Sequence, residues 1–109
     1  ILTAYEISQL DLRNTELVVL SACETGLGHI EGNEGVYGLQ RAFKIAGAKY
    51  LIMSLWKVDD QSTRVFMTSF YRHWLTEKQT IPEAFRQTQR EMKAKYAWAF
   101  DWAGFELIE

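Results

Sequence analysis

The residue of this sequence best suited to nucleophilic chemistry is its single cysteine, Cys23. It lies in the stretch SACETG, immediately after the apolar run LVVL. A free thiol has a pKa near ~8.5 and needs a neighbouring base or positive field to become a good nucleophile. The residues that follow Cys23, as far as Gly26, are small or polar enough to leave backbone N–H groups free, so the Cys23 N–H is a candidate oxyanion donor. The alternative is a buried cysteine that acts only as a small hydrophobe.

A base for this thiol is not evident among the two histidines, His29 and His73. His29 follows Cys23 by six residues in a glycine-rich stretch, which is typical of an exposed loop histidine. His73 lies at the border of an aromatic helix face, where packing or surface exposure is the usual role. A metal site built from Cys23, His29 and Glu31 lacks ligand spacing. The residues alone leave both roles of Cys23 open, and neither role requires a metal or an organic cofactor.

Three apolar runs predict strands that would position these groups. Residues 17–20 and 50–55 are short and continuous, as expected of strands buried on both faces of a parallel sheet, and residues 102–108 form a third candidate. Reactive groups in such sheets gather at the carboxyl ends of the strands. Cys23 follows the first strand and residues 56–60 follow the second, so we expect both loops to open on the same side.

Helical patterns alternate with these strands. Capping-box spacing predicts helices that start near Thr3 and Thr80, and apolar periodicity predicts two more, one of which ends before Gly47. The predicted ranges are residues 4–10, 36–46, 61–76 and 81–95. Glycines up to position 35 are assigned to a loop. Strands alternating with helices predict an α/β fold.

Composition and charge exclude several functional classes. The 109 residues are 48% hydrophobic, with 12 basic and 14 acidic side chains, which suits one modest domain or part of a larger one. The densest basic stretch, Arg86 to Lys95, is interrupted by Glu91, and we interpret it as a solvated helix face without a nucleic-acid footprint. No apolar run approaches the ~20 residues that span a bilayer. One cysteine without CxxC spacing favours a reducing, cytoplasmic setting. The glycines after Cys23 lack both GxGxxG and GK[ST], which argues against a nucleotide-binding module.

Several segments together resemble one family. LSACETGLG at residues 20–28, EGV at 34–36, LQRAF at 39–43, SLWKVDD at 54–60 and WAGF at 102–105 are similar to the CHAT family, caspase-like domains often attached to tetratricopeptide repeats. The match covers most of the chain. The caspase pattern Q-A-C-[RQG]-G keeps its Ala-Cys core here, whereas Ser21 replaces the glutamine and two residues separate Cys23 from Gly26.

The resemblance implies a fold and an activity. The expected fold is part of a caspase-like layered sandwich, a mostly parallel sheet flanked by helices. Residues 1–109 would be the C-terminal portion of one bacterial, cytoplasmic domain, with the upstream strands and the catalytic-histidine segment lying outside this sequence. The implied activity is that of a cysteine endopeptidase in which Cys23 attacks a polypeptide substrate. The implied partners are that substrate and a tetratricopeptide-repeat region of the same or another protein, with no membrane and no nucleic acid.

Two questions stay open at the level of sequence. Ser21, Trp56, Asp59 and Asp60 occupy positions that resemble those lining the caspase substrate pocket, where either aspartate would favour a basic or polar substrate side chain. The alternative is that Asp59 and Asp60 only cap the following helix. The competing function is a catalytically degenerate CHAT domain that serves as an interaction scaffold beside repeat modules. An upstream His-Gly pair would favour the peptidase.

Overall fold

The computed structural model describes residues 4–20, 32–54, 58–96 and 102–109. They form an α/β structure in which helices accompany a three-stranded sheet of order β1-β2-β3. The elements in chain order are α1 (Ala4–Ser8), β1 (Leu17–Leu20), α2 (Gly32–Ala46), β2 (Tyr50–Ser54), α3 (Asp60–Tyr71), a π-helical turn (Arg72–Thr76), α4 (Ile81–Lys95) and β3 (Phe105–Ile108). The predicted α/β class is therefore confirmed. The chain divides into two compact units, residues 1–55 with 106–109 and residues 56–105.

The sheet of the first unit contains a parallel pair. β1 pairs with β2 from Leu17 opposite Tyr50 to Leu20 opposite Met53. β2 is the buried strand, and the side chains from Leu51 to Met53 are completely shielded from solvent. The continuous apolar run of β2 is what a strand covered on both faces requires.

The prediction that β1 is buried on both faces is wrong. None of its four residues is fully buried, and Val19 is 40% exposed. Val18 and Leu20 pack against the cluster that contains Leu51 and Met53. Since successive side chains of a strand point to opposite faces, Val19 lies on the other, less covered face. β1 is also the end strand of the described sheet, with β2 on one side only.

A Schellman motif ends α2 at Gly47, as the sequence predicts. The Gly47 N–H donates to the Lys44 carbonyl at 3.1 Å and the Ala48 N–H donates to the Phe43 carbonyl at 3.2 Å. Gly47 has φ +112°, a conformation that residues with a side chain rarely adopt. The helix nevertheless starts earlier than predicted: Gly32 and Gly35 belong to α2 rather than to a loop. Packing of α1 against α2 outweighs the low helix propensity of these glycines.

In the second unit, α3 and α4 pack through aromatic side chains. Phe66 is completely buried, stacks on Phe105 with ring centroids 4.4 Å apart, and meets the edge of Phe85 at 5.5 Å. Phe70, four residues further along α3, is also completely buried, so the aromatic helix face expected from the sequence is present. A π-helical turn over residues 72–76, closed by a 2.9 Å hydrogen bond from the Glu77 N–H to the Arg72 carbonyl, replaces the predicted last α-helical turn. Thr80 is the N-cap of α4, and both bonds of the predicted capping box are in place.

Candidate functional site

The two parallel strands of the first unit end at the same edge of the sheet. Leu20 is opposite Met53, and the next residue of β2, Ser54, is 94% buried at that edge. β1 therefore ends at Leu20, opposite Met53 and three residues before Cys23 in the sequence. The carboxyl ends of the two strands thus lie at one edge, which is where α/β proteins place reactive groups. The prediction that the loops after the strands open on the same side concerns residues that are mostly outside the described part of the chain and stays a prediction.

Backbone hydrogen bonds ahead of the strands fix this register. The Leu12 N–H donates to the Ala46 carbonyl at 2.7 Å. The Lys49 and Tyr50 N–H groups donate to the Thr15 and Glu16 carbonyls at 3.2 and 3.0 Å. Because a slip by one residue would turn every side chain of a strand to the opposite face, these bonds also determine which side chains of β1 face the core.

The chemistry-bearing residues of the predicted site lie mostly outside the described residues. These are Ser21, Cys23, Gly26, His29 and Trp56. The roles assigned to Ser21, Cys23, Gly26 and Trp56 stay predictions, and so do the alternatives weighed for Cys23 and His29.

The two candidate pocket aspartates differ in what they bind. Asp59 is the N-cap of α3: one carboxylate oxygen accepts the Ser62 N–H at 2.9 Å and the other accepts the Ser62 hydroxyl at 2.7 Å. Asp60 is exposed in the first turn of α3, with no hydrogen bond or ion pair of its side chain to another described residue. The prediction that one of these aspartates caps α3 is confirmed for Asp59.

His73 is buried between two carboxylates. It is only 3% exposed, its Nδ1 lies 3.0 Å from a Glu77 oxygen, and its Nε2 contacts a carboxylate oxygen of Glu91. Arg72 completes the group, 3.4 Å from Glu77 and 3.5 Å from Glu91. Only the protonated imidazole can donate a hydrogen bond from both ring nitrogens.

The charge state of His73 follows from this geometry. Burial disfavours the charged imidazole, but the hydrogen bonds and charges of Glu77 and Glu91 outweigh it and raise the pKa of His73. The hydrogen bond from His73 is also the main reason that the pKa of Glu77 is lowered. With both ring nitrogens occupied, His73 is a structural charge and is not free to act as a base elsewhere.

The sequence left packing and surface exposure both open for His73 and gave no indication of its pair of partners. Glu77 stands four residues after His73, a spacing that signals a side-chain pair on one helix. Glu91 lies on the next helix and gives no local signal. The described residues contain no group of three or more His, Cys, Asp or Glu side chains arranged to hold a metal. None of the described helices has the length and apolar character needed to cross a bilayer.

Comparison with known proteins identifies the family. The family model of the CHAT domain matches residues 1–109, so this chain belongs to the CHAT domain family. It is 35% identical over 112 residues to tetratricopeptide repeat protein 28 of Mus musculus, and 33% identical over 111 residues to the protein of the same name from Homo sapiens. Each alignment covers 99% of this chain but 4% of the relative. Both relatives are mammalian, so they do not support the predicted bacterial source. No solved structure matches.

Proposed function

We propose that this chain carries the nucleophile of a caspase-like cysteine endopeptidase, with Cys23 as the attacking residue. The observation that carries the proposal is the edge of the sheet where β1 ends: Leu20 lies there opposite Met53, three residues before the single cysteine of the sequence. Membership of the CHAT family over the whole chain supports it. The relatives' activities are not taken over, because this chain spans only 4% of their length.

The reaction requires a base that these residues do not supply. His73 is held by Glu77 and Glu91, and His29 has no support from the caspase pattern, so the proposed base is a histidine outside this sequence. It takes the thiol proton as the Cys23 sulfur bonds to the peptide carbonyl carbon. The C–N bond then breaks, the amine leaves with that proton, and water hydrolyses the thioester. The proposed oxyanion donor is the Cys23 N–H, in the loop that contains Gly26.

Labelling of the full-length protein tests the nucleophile. We expect a peptidyl acyloxymethyl ketone to modify Cys23 in the native protein much faster than in the denatured protein, and Cys23→Ala to abolish the labelling of this segment. Because this chain has a single cysteine, mass spectrometry of its peptides assigns the modified site without ambiguity. Labelling that survives in Cys23→Ala would refute the assignment.

The same experiment addresses the second candidate, a degenerate CHAT domain that acts as a scaffold. Its support is the name of the relatives, which are tetratricopeptide repeat proteins. In either case we propose that a repeat region of the same or another protein is a partner. If native Cys23 reacts with the peptidyl reagent no faster than the denatured thiol, the scaffold is favoured and the peptidase proposal fails.

For the substrate pocket we propose Ser21, Trp56 and one aspartate. Asp60 is the better candidate of the pair, because Asp59 already binds Ser62 whereas the Asp60 carboxylate has no described partner. Two peptidyl acyloxymethyl ketones are compared, one with a basic and one with a neutral side chain next to the reactive group. Asp60→Asn should lower the labelling rate of the basic reagent roughly tenfold relative to that of the neutral reagent. Asp59→Asn is the matched control, because asparagine also caps helices. If the ratio of the two labelling rates were the same in both variants and in the parent protein, neither aspartate would contribute to the substrate pocket.

A further inference from the structure

α4 carries a row of basic side chains on one face. Arg86, Arg90 and Lys93 are all exposed and stand at i, i+4 and i+7, which places them on one side of a helix over about 10 Å. The opposite side of α4 is buried in the core of the second unit through Phe85, Met92 and three other residues. The orientation of the basic row is therefore fixed by the packing of the helix.

The basic row and Trp102 together line a groove. The groove has a volume of about 270 Å³ and is lined by the three basic side chains with Gln89 and Trp102. The Lys93 ammonium lies 5.8 Å from the centroid of the Trp102 ring, within cation–π distance. An indole face beside the aliphatic stems of arginine and lysine gives the groove an apolar floor with positive charges at its rim.

The carboxylates of α4 are engaged elsewhere. Glu83 accepts hydrogen bonds from Thr80 in the capping box. These bonds lower the pKa of Glu83 more than the nearby charge of Arg86 does. Glu91 binds His73 and Arg72. Within the described part of the chain, Arg86, Arg90 and Lys93 therefore form no ion pair, although the whole sequence has a net charge of −2.

The size and the charge of the groove indicate its occupant. A volume of about 270 Å³ is below the ~300–1,000 Å³ of pockets that enclose a whole drug-sized ligand, but it is ample for one or two side chains. Nucleic acid is disfavoured because its phosphates require a longer basic track and this chain is acidic overall. Guanidinium groups pair with carboxylates through two parallel hydrogen bonds.

We propose that this groove is a docking site for an acidic segment of a partner polypeptide, in which a carboxylate binds Arg86 and Arg90 and a neighbouring apolar side chain packs on Trp102. The arrangement provides both parts of such a motif, charge from the helix and an apolar surface from the indole. The site involves no residue of the proposed catalytic machinery, so it is independent of the peptidase proposal.

Fluorescence anisotropy with a defined peptide tests the docking site. The probe is a short fluorescein-labelled peptide with glutamates on both sides of one leucine, and the matched probe carries glutamines instead. We expect the full-length protein to bind the glutamate peptide at least about tenfold more tightly than the glutamine peptide, with affinity falling as salt is raised. A peptide with serine in place of the leucine should bind more weakly.

A matched pair of charge reversals assigns the binding to the groove. Arg90→Glu should weaken binding at least about tenfold, whereas Arg64→Glu, the same charge change at an exposed position of α3, should leave it nearly unchanged. Trp102→Phe should retain more affinity than Trp102→Ala. Thermal melts monitored by circular dichroism confirm that each variant is folded. The proposal is overturned if both reversals weaken binding equally, if the glutamine peptide binds as well, or if an RNA oligonucleotide competes more strongly than the glutamate peptide.

Discussion

Replacement of Gly47 by alanine should destabilise the first unit, and the structure gives two separate reasons. With φ at +112°, the backbone is outside the region that a residue with a Cβ atom prefers, which costs about 1–3 kcal/mol. A Cβ atom at this position would also lie 2.8 Å from the backbone nitrogen of Arg13 and 2.9 Å from its Cα atom. Overpacking of this kind typically costs ~1–3 kcal/mol.

The net effect follows from these two costs and one compensation. Alanine restricts the unfolded chain more than glycine does, which returns ~0.4–1 kcal/mol to the folded state. We therefore expect Gly47→Ala to lower the free energy of unfolding by about 1 to 5.6 kcal/mol. Gly38 provides the control with the opposite sign. It lies inside α2 with open space where a Cβ atom would lie, so Gly38→Ala should stabilise by about 0.5–1 kcal/mol.

Urea titration followed by circular dichroism measures both effects. A third variant tests the Arg13 side chain, whose Cγ atom would also lie 2.9 Å from the added Cβ atom. Gly47→Ala should remain destabilising in an Arg13→Ala background, because the crowded nitrogen and Cα atoms belong to the backbone. If Gly47→Ala and Gly38→Ala changed stability in the same direction, the explanation from backbone conformation and close contact would be wrong. If Arg13→Ala restored full stability, the contact with its side chain would be the whole cause.

Three further predictions concern the second unit. Because the pKa of His73 is raised, the charged imidazole stabilises the fold fully below pH 6.5, the ordinary pKa of histidine, and this stabilisation is lost as the pH rises through the raised pKa. Glu91→Gln should make the melting temperature depend less on pH over this range and should lower the pKa of His73 in an NMR titration. Phe66→Ala should lower the free energy of unfolding in urea by about 3–5 kcal/mol, because the ring is completely buried. Thr68→Ala, at an exposed position of the same helix, should change it by less than about 0.5 kcal/mol, and similar losses in the two variants would contradict the assigned core. Thr80→Ala should cost about 0.5–2 kcal/mol by removing the N-cap of α4, and an unchanged stability would show that the capping box is not formed in solution.

The sequence predicted elements where local signals and packing agree. The capping box at Thr80 and the glycine stop at Gly47 were both visible from spacing and residue type, and both form as expected. β2 was visible as an apolar run because both of its faces are covered. The start of α2 was missed because glycines at 32 and 35 have low helix propensity, a local preference that packing against α1 overrides.

The candidate site was predictable only as far as the strands that lead to it. The parallel alignment of β1 and β2 could be anticipated from their apolar character and the intervening helix, and it is present. The distinction between Asp59 and Asp60 could not be made from sequence, because an aspartate at either position can cap a helix. The contact of Glu91 with His73 joins two helices, and no spacing rule along the chain predicts such a pair.

The charged residues of α4 are mixed along the sequence but separated around the helix. In the sequence, Glu91 interrupts the run from Arg86 to Lys95 and suggests a balanced, solvated surface. At about 100° per residue, however, Glu91 is rotated by about 100° from Arg90 and about 160° from Lys93. It therefore points to His73 and Arg72, leaving the arginine and lysine side chains together along the groove. Among the described residues, the acids of α4 therefore bind within the fold, whereas Arg86, Arg90 and Lys93 form no ion pair, as the proposed docking of an acidic partner requires.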